Sequence, residues 1–275
     1  MKIDLHTHSN KSDGILSPKE LVHLAKNQGV DILALTDHDT VAGVTEAVEE
    51  GKNINLRVIP GIELSTQYRE STVHILGYFT DESYKDENLI NFLKDLELHR
   101  ISRGKKIVEN LKTYFDIDLD FEKVLKESKG VLARPHIAKA IIDAGYNYTF
   151  DKIFDKLLGN NSPAYVPNKK VSTLEGINLL KKYGCVTSFA HPVLIKKHYL
   201  EEIANLPFDC LEGFYYKNSS GDERRFINLS KKSNKGLTCG SDFHGHGKGD
   251  TKHGYVGCMN VPLEYISSFL EMLDK

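Results

Sequence analysis

Short apolar runs alternate with amphipathic stretches along most of the chain. The run Asp31–Thr36 is almost continuously apolar, which is typical of a strand buried on both faces. Serine followed three residues later by glutamate, at Ser17 and again at Ser172, predicts helix starts with capping boxes. The alternation indicates an α/β fold with parallel strand pairing, either a barrel or an open doubly wound sheet. The predicted core strands begin at Lys2, Asp31, Leu56, Val73, Cys185, Asp209 and Gly236, with a further short strand at Gly254–Cys258.

A helical block interrupts this alternation between the fourth and fifth predicted strands. Its longest amphipathic stretch is Glu87–Tyr114, and shorter helical patterns follow up to Leu158. We therefore predict a barrel domain formed by residues 1–80 and 168–275, and an inserted helical subdomain formed by residues 81–167. Because both ends of the insertion join the same edge of the predicted barrel, we expect it to act as a cap over that edge.

Metal-binding types of side chain fall at or near the ends of six of the predicted strands. Parallel strands bring their carboxyl ends to one rim, where α/β barrels build their active sites. A single histidine at such a position is more often a satisfied polar core residue, but six coincidences at one edge would be costly to bury without an ion. His6 and His8 are spaced so that both imidazoles face one side of a strand. Imidazole and carboxylate together suit zinc, manganese or iron.

Composition narrows the function classes. The 275 residues carry 36 basic and 38 acidic side chains, and this near balance argues against broad electrostatic binding of nucleic acid. The four cysteines form no Cys-x-x-Cys pair, so we expect buried reduced thiols. There is no apolar signal core in the first residues, and no apolar run reaches the ~18 residues of a membrane span, so we expect a cytoplasmic protein without a membrane partner. No obligate protein partner is evident.

The motifs at these strand ends resemble those of the PHP (polymerase and histidinol phosphatase) superfamily, in that family's order along the chain. They are Asp4-Leu5-His6-Thr7-His8-Ser9, Thr36-Asp37-His38-Asp39, Pro60-Gly61-Ile62-Glu63, His74-Ile75-Leu76-Gly77-Tyr78, Ala190-His191-Pro192 and Gly240-Ser241-Asp242-Phe243-His244-Gly245. The segment Ala164-Tyr165-Val166-Pro167 is similar to a subgroup of nucleoside 3',5'-bisphosphate phosphatases, some of which are also 5'-to-3' exoribonucleases on short RNA. The resemblance implies a distorted (β/α)7 TIM-like barrel with a trinuclear metal centre.

The resemblance also implies three sets of metal ligands. The first is His6, His8, Glu63 and Asp242; the second is Glu63 as a bridge with His74 and His191; the third is Asp13, His38 and His244. Asp37, beside His38, is expected to support a ligand rather than to bind metal. Clustered divalent metals give a bound hydroxide at neutral pH, so no side-chain nucleophile is expected.

A second phosphate on the substrate would need a cation away from the metals. Arg134 opens a predicted helix, where guanidinium and backbone N–H groups both favour phosphate. The resemblance also implies a phosphate contact here, and His136 is a further candidate; the alternative is a surface arginine. His246, Lys248 and His253 are interpreted as solvated loop residues, and Lys169 and Lys170 as a solvated pair.

These observations predict a metal-dependent phosphoesterase acting on a small phosphorylated nucleotide, with a nucleoside 3',5'-bisphosphate as the leading substrate. Two enzymatic alternatives use the same metal motifs: histidinol-phosphate phosphatase, and 5'-to-3' exonuclease action on short RNA or DNA oligonucleotides. A non-enzymatic regulatory PHP module is a further alternative. The complete set of ligand residues argues against that last alternative.

Overall fold

A computed structural model describes residues 1–128, 132, 134–167, 171–245 and 253–275. The chain divides into two compact units, one formed by residues 1–91 and 170–275 and the other by residues 92–169. Within the described ranges, none of the helices has both the length and the apolar character that crossing a membrane requires.

The first unit is an α/β barrel, here called the barrel unit. Its seven strands are hydrogen-bonded in chain order, from β1 to β7. They are β1 (Ile3–Asp4), β2 (Ile32–Leu35), β3 (Arg57–Tyr68), β4 (Ser71–Phe79), β5 (Cys185–Phe189), β6 (Cys210–Tyr215) and β7 (Gly236–Gly240). The barrel nearly closes because the chain after β1 bonds to β7 and its continuation, through Leu5 N–H to the Cys239 carbonyl at 3.0 Å and His8 N–H to the Phe243 carbonyl at 2.9 Å. The predicted α/β barrel is therefore confirmed.

One expectation about the sheet was wrong, because the strands are not all parallel. β4 runs antiparallel to both β3 and β5, while the other neighbouring pairs are parallel. The reason is a two-residue turn at Arg69 and Glu70, where Arg69 has a φ of 51° and joins β3 directly to β4 as a hairpin. No helix separates these two strands, so the chain cannot return to make a parallel pair.

Helices of the barrel unit begin where serine caps were predicted. The hydroxyls of Ser17 and Ser172 each accept the backbone N–H of the glutamate three residues later. The backbone N–H of each serine donates in turn to the carboxylate of that glutamate, which confirms both capping boxes. Ser219 caps a third helix in the same way with Asp222. The described helices of this unit are α1 (Pro18–Asn27), α2 (Val44–Asn53), α7 (Thr173–Lys182), α8 (Lys197–Ala204), α9 (Ser220–Ser233) and α10 (Leu263–Leu273).

The strand predicted at Gly254–Cys258 is absent from the structure. This segment is a turn, in which Gly257 has a φ of 69° and the Cys258 N–H bonds to the Tyr255 carbonyl. A left-handed glycine inside so short a run prevents an extended strand.

The second unit, here called the helical unit, packs short helices around an apolar interior. It contains most of α3 (Glu87–Phe115) with α4 (Phe121–Glu127), α5 (Arg134–Asp143) and α6 (Phe150–Lys156). Ile107, Leu111, Ile137, Ile141 and Ile153 are all buried in one cluster. Ile107 and Leu111 belong to the amphipathic stretch Glu87–Tyr114 that the sequence predicts.

Candidate metal centre

Ionisable side chains from six strands of the barrel unit converge around Glu63. Glu63 lies in β3 just beyond the last residue that pairs with β2, and its side chain is fully buried. Every residue that the sequence analysis selected as a metal ligand lies in this cluster. The set is His6, His8, Asp13, His38, Glu63, His74, His191, Asp242 and His244.

His74 reaches the cluster from a strand of opposite direction. It pairs with Ser65 in the β3–β4 hairpin, and its Nδ1 lies 2.8 Å from Glu63 Oε1. Because β4 is antiparallel, a residue near its beginning lies at the same rim as residues that follow the parallel strands. The sequence analysis placed His74 inside its strand without explaining how it could reach the rim.

The first group of possible ligands combines two histidines that follow β1 with two carboxylates. His6 Nε2 and His8 Nε2 each lie 3.2 Å from Glu63 Oε2. Asp242 Oδ1 lies 3.4 Å from the first of these nitrogens and 3.2 Å from the second. All four side chains are buried, and one ligand atom of each lies within 4.8 Å of the others.

A second group surrounds the other side of the Glu63 carboxylate. His191 Nε2 lies 3.0 Å from Glu63 Oε1, beside the contact that His74 makes with the same oxygen. His38 Nδ1 lies 3.0 Å from Glu63 Oε2, so His38 joins this group as well as the third. The ligand sets implied by the family resemblance did not place His38 here.

The third group lies around Asp13. His244 Nε2 is 3.1 Å from Asp13 Oδ1, His38 Nε2 is 3.8 Å from Asp13 Oδ2, and His8 Nδ1 is 3.8 Å from Asp13 Oδ1. His8 was expected only in the first group, but its two ring nitrogens face both groups.

These donors fit divalent metal ions because several of them are buried without hydrogen bonds. Among the described residues, His6 Nε2, both nitrogens of His8, His38 Nδ1 and Glu63 Oε2 are buried and find no aligned hydrogen-bond partner. These atoms lie at about van der Waals distance from one another, and no aligned hydrogen bond is made to their lone pairs. Leaving that many polar atoms unpaired is costly, and shared metal ions would satisfy them. Imidazole and carboxylate are the ligands of zinc, manganese and iron.

Charges inside the cluster shift the pKa values of its members strongly. Burial opposes ionisation of Glu63, but the surrounding imidazoles outweigh it and hold the pKa of Glu63 well below its usual range. Burial likewise disfavours the charged form of His38, yet Glu63 and Asp13 raise the pKa of His38 to about 10. Glu63 and His38 thus stabilise each other's charged forms. Metal ions bound by the cluster would supply positive charge beside the same carboxylate.

A buried carboxylate on β6, Glu212, supports two of the histidines. Its Oε1 lies 3.0 Å from His6 Nδ1 and its Oε2 accepts the backbone N–H of His191 at 2.7 Å. The first contact favours a proton on Nδ1 and leaves Nε2 of His6 free to bind metal. The sequence analysis missed Glu212; the available signal was a single charged residue in the middle of a strand predicted to be buried.

Two further contacts fix Asp242 and the end of β7. The Tyr215 hydroxyl donates to Asp242 Oδ2 at 2.9 Å, and Asp4 accepts the N–H and the hydroxyl of Ser241. Gly240 lets β7 approach β1, since a Cβ there would lie 2.2 Å from the Cβ of His6. His191 and Asp242 have φ values of 29° and 54°, and such strain is typical of sites where the backbone must aim a side chain.

Asp37 holds a turn and is not in any of the possible metal groups among the described residues. It accepts the Ser9 N–H at 2.7 Å and the hydroxyls of Ser9 and Ser12 at 2.6 Å each. These bonds fix the chain that leads from His8 to Asp13.

Arg134, the predicted phosphate contact, lies at the first position of α5 in the helical unit and is half-buried. Its Nη1 donates to the Leu158 carbonyl at 3.0 Å and lies 3.4 Å from Asn160 Oδ1. Burial lowers the pKa of Arg103 in the same unit, and the charge of Arg134 lowers it further.

The other candidate residues differ in where they lie. His136 is half-buried in the first turn of α5. His253 is half-buried and stacks against His244, with ring centroids 4.0 Å apart, so its interpretation as a solvated loop residue was wrong. Lys169, Lys170, His246 and Lys248 lie outside the described residues.

The fold and this cluster define a seven-stranded α/β barrel with a candidate metal centre. The PHP domain model matches residues 4–253, so the chain belongs to the PHP domain family. The chain is similar to the 5'-3' exoribonuclease Rnm of Salmonella typhimurium, with 30% identity over 88% of this chain and 84% of that protein. It is also similar to the 3',5'-nucleoside bisphosphate phosphatase of Chromobacterium violaceum, with 28% identity over 92% of this chain and 91% of that protein.

Solved structures share the fold, and with the relatives above they assign the chain as a metal-dependent phosphoesterase. A protein from Bifidobacterium adolescentis, assigned as a metal-dependent phosphoesterase, superposes with a TM-score of 0.75 and 28% identity, over 97% of this chain and 96% of that one. A Chromobacterium violaceum structure described as an amidohydrolase with bound sulfate superposes with a TM-score of 0.79 and 25% identity, over 99% and 97% of the two chains.

Proposed function

We propose that this phosphoesterase hydrolyses nucleoside 3',5'-bisphosphates with three divalent metal ions of manganese, zinc or iron. The observation that carries the proposal is the buried cluster around Glu63, whose unpaired nitrogens and oxygens face common points. The similarity to a 3',5'-nucleoside bisphosphate phosphatase along nearly the whole of both chains supports the substrate class.

The residues that would hold the ions follow from the three groups. Glu63 would bridge two sites, with His6, His8 and Asp242 on one side and His74 and His191 on the other. Asp13, His38 and His244 would hold the third ion. When bound, such ions lower the pKa of water and neutralise charge on the phosphate oxygens. The contacts of His38 with Glu63 and of His8 with Asp13 would keep the three sites close together.

Three hydroxyls and one thiol near the cluster are poorly suited to act as nucleophiles, because all four side chains are fully buried. The hydroxyls of Ser9 and Ser12 donate to Asp37, and that of Ser241 donates to Asp4. Burial raises the pKa of the Cys239 thiol well above its usual value. Water is therefore proposed as the nucleophile. Its oxygen adds to phosphorus, the P–O bond to the nucleotide breaks, and the products are inorganic phosphate and an alcohol.

Arg134 is proposed to bind the second phosphate of the substrate. Arg134 is half-buried at the start of α5. A guanidinium offers a planar pair of N–H donors that matches the oxygens of a phosphate monoester. Arg134 is therefore proposed to select substrates that carry this extra phosphate.

A second candidate function is 5'-to-3' exonuclease action on short oligonucleotides. It is favoured by the 30% identity to an exoribonuclease over most of both chains. Histidinol phosphate stays a third candidate substrate, because the metal ligands alone do not distinguish it.

A phosphate-release panel with manganese tests these candidates. The substrates are adenosine 3',5'-bisphosphate, adenosine monophosphates, histidinol phosphate and a 5'-phosphorylated short RNA, each with a chelator-treated control. We expect the bisphosphate to have the highest kcat/KM. Faster release of nucleotides from the RNA would favour the exonuclease instead, and preference for histidinol phosphate would overturn the nucleotide assignment.

A further inference from the structure

His253 lies against the metal centre although no motif in the sequence marks it. Its ring centroid is 4.0 Å from that of His244, with an interplanar angle of 31°. A ligand atom of His253 lies within 4.8 Å of ligand atoms of both Asp242 and His244. His253 is thus placed beside two residues that already belong to the proposed ligand sets.

The backbone after His253 is held against the end of β7. The Gly254 N–H bonds to the Ser241 carbonyl at 2.8 Å, and the Gly257 N–H bonds to Asp4 Oδ2 at 2.7 Å. A Cβ at position 254 would lie 2.9 Å from the Ser241 carbonyl oxygen, so this approach depends on glycine. These bonds fix the chain immediately after His253 and keep its ring at the metal centre.

The ring of His253 also continues a row of imidazoles. His8 stacks on His244 with centroids 4.1 Å apart, and the ring of His253 lies against His244 at 4.0 Å, tilted by 31°. Rings this close place nitrogens of neighbouring histidines near each other, which allows them to offer donors to one ion. The carboxylate of Asp242 completes a set of two imidazoles and one carboxylate, a donor set that suits zinc, manganese or cobalt.

We propose that His253 is a further ligand of the third ion, which it would bind together with His244, and with Asp242 placed between the first and third sites. The inference rests on the metal-dependent chemistry of the proposed function and adds one residue to its ligands. His244 and His253 would then both bind the same ion, so the chain after β7 would be attached to that ion at two points.

Metal titration of the full-length protein tests the proposal without reference to turnover. Metal-free wild type, His253→Ala and His253→Asp are titrated with Co²⁺, followed by visible absorption, and bound Mn²⁺ is counted by elemental analysis. Removing a group that only supports a ligand already lowers metal affinity about 10- to 100-fold. His253→Ala should therefore lower the affinity for one of the ions by roughly tenfold or more and change the cobalt spectrum. His253→Asp restores a metal-binding group and should recover much of the affinity.

Two comparisons distinguish a packing role of His253 from a role as metal ligand. His99→Ala removes an exposed histidine on α3 and should leave the titration unchanged. If His253 only packs against His244, the half-buried charge of His253→Asp should harm binding more than His253→Ala does, and that order would overturn the proposal. Equal affinity and equal spectra for wild type and His253→Ala would overturn it as well.

The outcome is also distinct from that of the substrate panel. A wild type that binds metal normally but ignores nucleotides would defeat the proposed substrate and leave the role of His253 intact. A His253→Ala protein that titrates like wild type would defeat the role of His253 while the substrate assignment stands.

Discussion

Buried charged side chains are concentrated in the barrel unit, whereas the described interior of the helical unit is almost entirely apolar. In the barrel unit, His6, His8, Glu63 and Glu212 are all fully buried. Within the described part of residues 92–169, the buried polar set contains only Ser128. The barrel unit therefore buries charged groups that need a partner of opposite charge. The helical unit buries apolar side chains, for which removal from water is itself stabilising.

This difference indicates in which unit the stability of the fold depends on groups that also serve function. Apolar burial stabilises a fold at about 25 cal/mol per Å² without any ligand. Buried carboxylates and imidazoles need compensating charge, and metal ions that bind only the folded state stabilise it by mass action. We therefore expect the barrel unit to depend on metal and the helical unit to depend on packing.

The largest expected effect comes from Glu63→Gln. This change removes the charge that contacts two groups of histidines at once, so bound metal and turnover should both fall to background. Elemental analysis and phosphate release on the same sample measure the two losses. Full activity with unchanged metal would contradict the bridging role of Glu63.

A cavity in the helical unit should act on stability alone. Ile153→Ala empties a fully buried position in α6 and should lower the free energy of unfolding by about 2–5 kcal/mol. Chemical denaturation measures this loss, and Ile142→Ala, at a position that is 39% exposed, is the matched control. The folded Ile153→Ala protein should keep its metal; loss of metal would show that the two interiors are not separable.

Arg134→Ala should change substrate preference rather than stability. A charge-assisted hydrogen bond contributes about 1.5–3 kcal/mol, which corresponds to roughly tenfold to 150-fold in kcat/KM for a nucleoside bisphosphate. Hydrolysis of phenyl phosphate should change little, because that ester has no second phosphate. Equal losses on both substrates would assign Arg134 to support of the loop at Leu158 and Asn160 instead.

Glu212→Gln should weaken metal binding, but less than Glu63→Gln does. The amide keeps the shape but can offer N–H to His6 Nδ1, which favours the tautomer with hydrogen on the metal-facing Nε2. We expect metal affinity to fall about 10- to 100-fold, as for other groups that orient a ligand. Metal titration measures it, with the exposed Glu264→Gln as control, and an unchanged affinity would remove Glu212 from this role.

The candidate ligand residues could be selected from sequence because each lies in or follows a recognisable strand or motif. His6 and His38 follow apolar runs, and the capping serines Ser17 and Ser172 mark where the next helices begin. These are local signals, and the structure contains the strands and helices that they predicted.

What could not be predicted depends on contacts between distant parts of the chain. Strand direction at His74 is decided by a turn at Arg69 that carries no glycine or asparagine signal. Glu212 acquires its role only because β6 passes behind His6, and His253 only because Gly254 bonds to Ser241. Periodicity reports burial, but it does not report which buried partner a side chain meets.

The β3–β4 hairpin has a consequence for the order in which the protein folds. Glu63 and His74 are 11 positions apart, whereas Asp4 and Ser241, which join the two ends of the barrel, are 237 positions apart. Short loops close at lower entropic cost, so the hairpin half of the centre should form early and the seam between β1 and β7 late. Since His6, His8 and Asp242 meet only across that seam, metal uptake would report the final closure of the barrel. A bound ion would then hold together the ends of β1 and β7, the first and the last strands of the barrel.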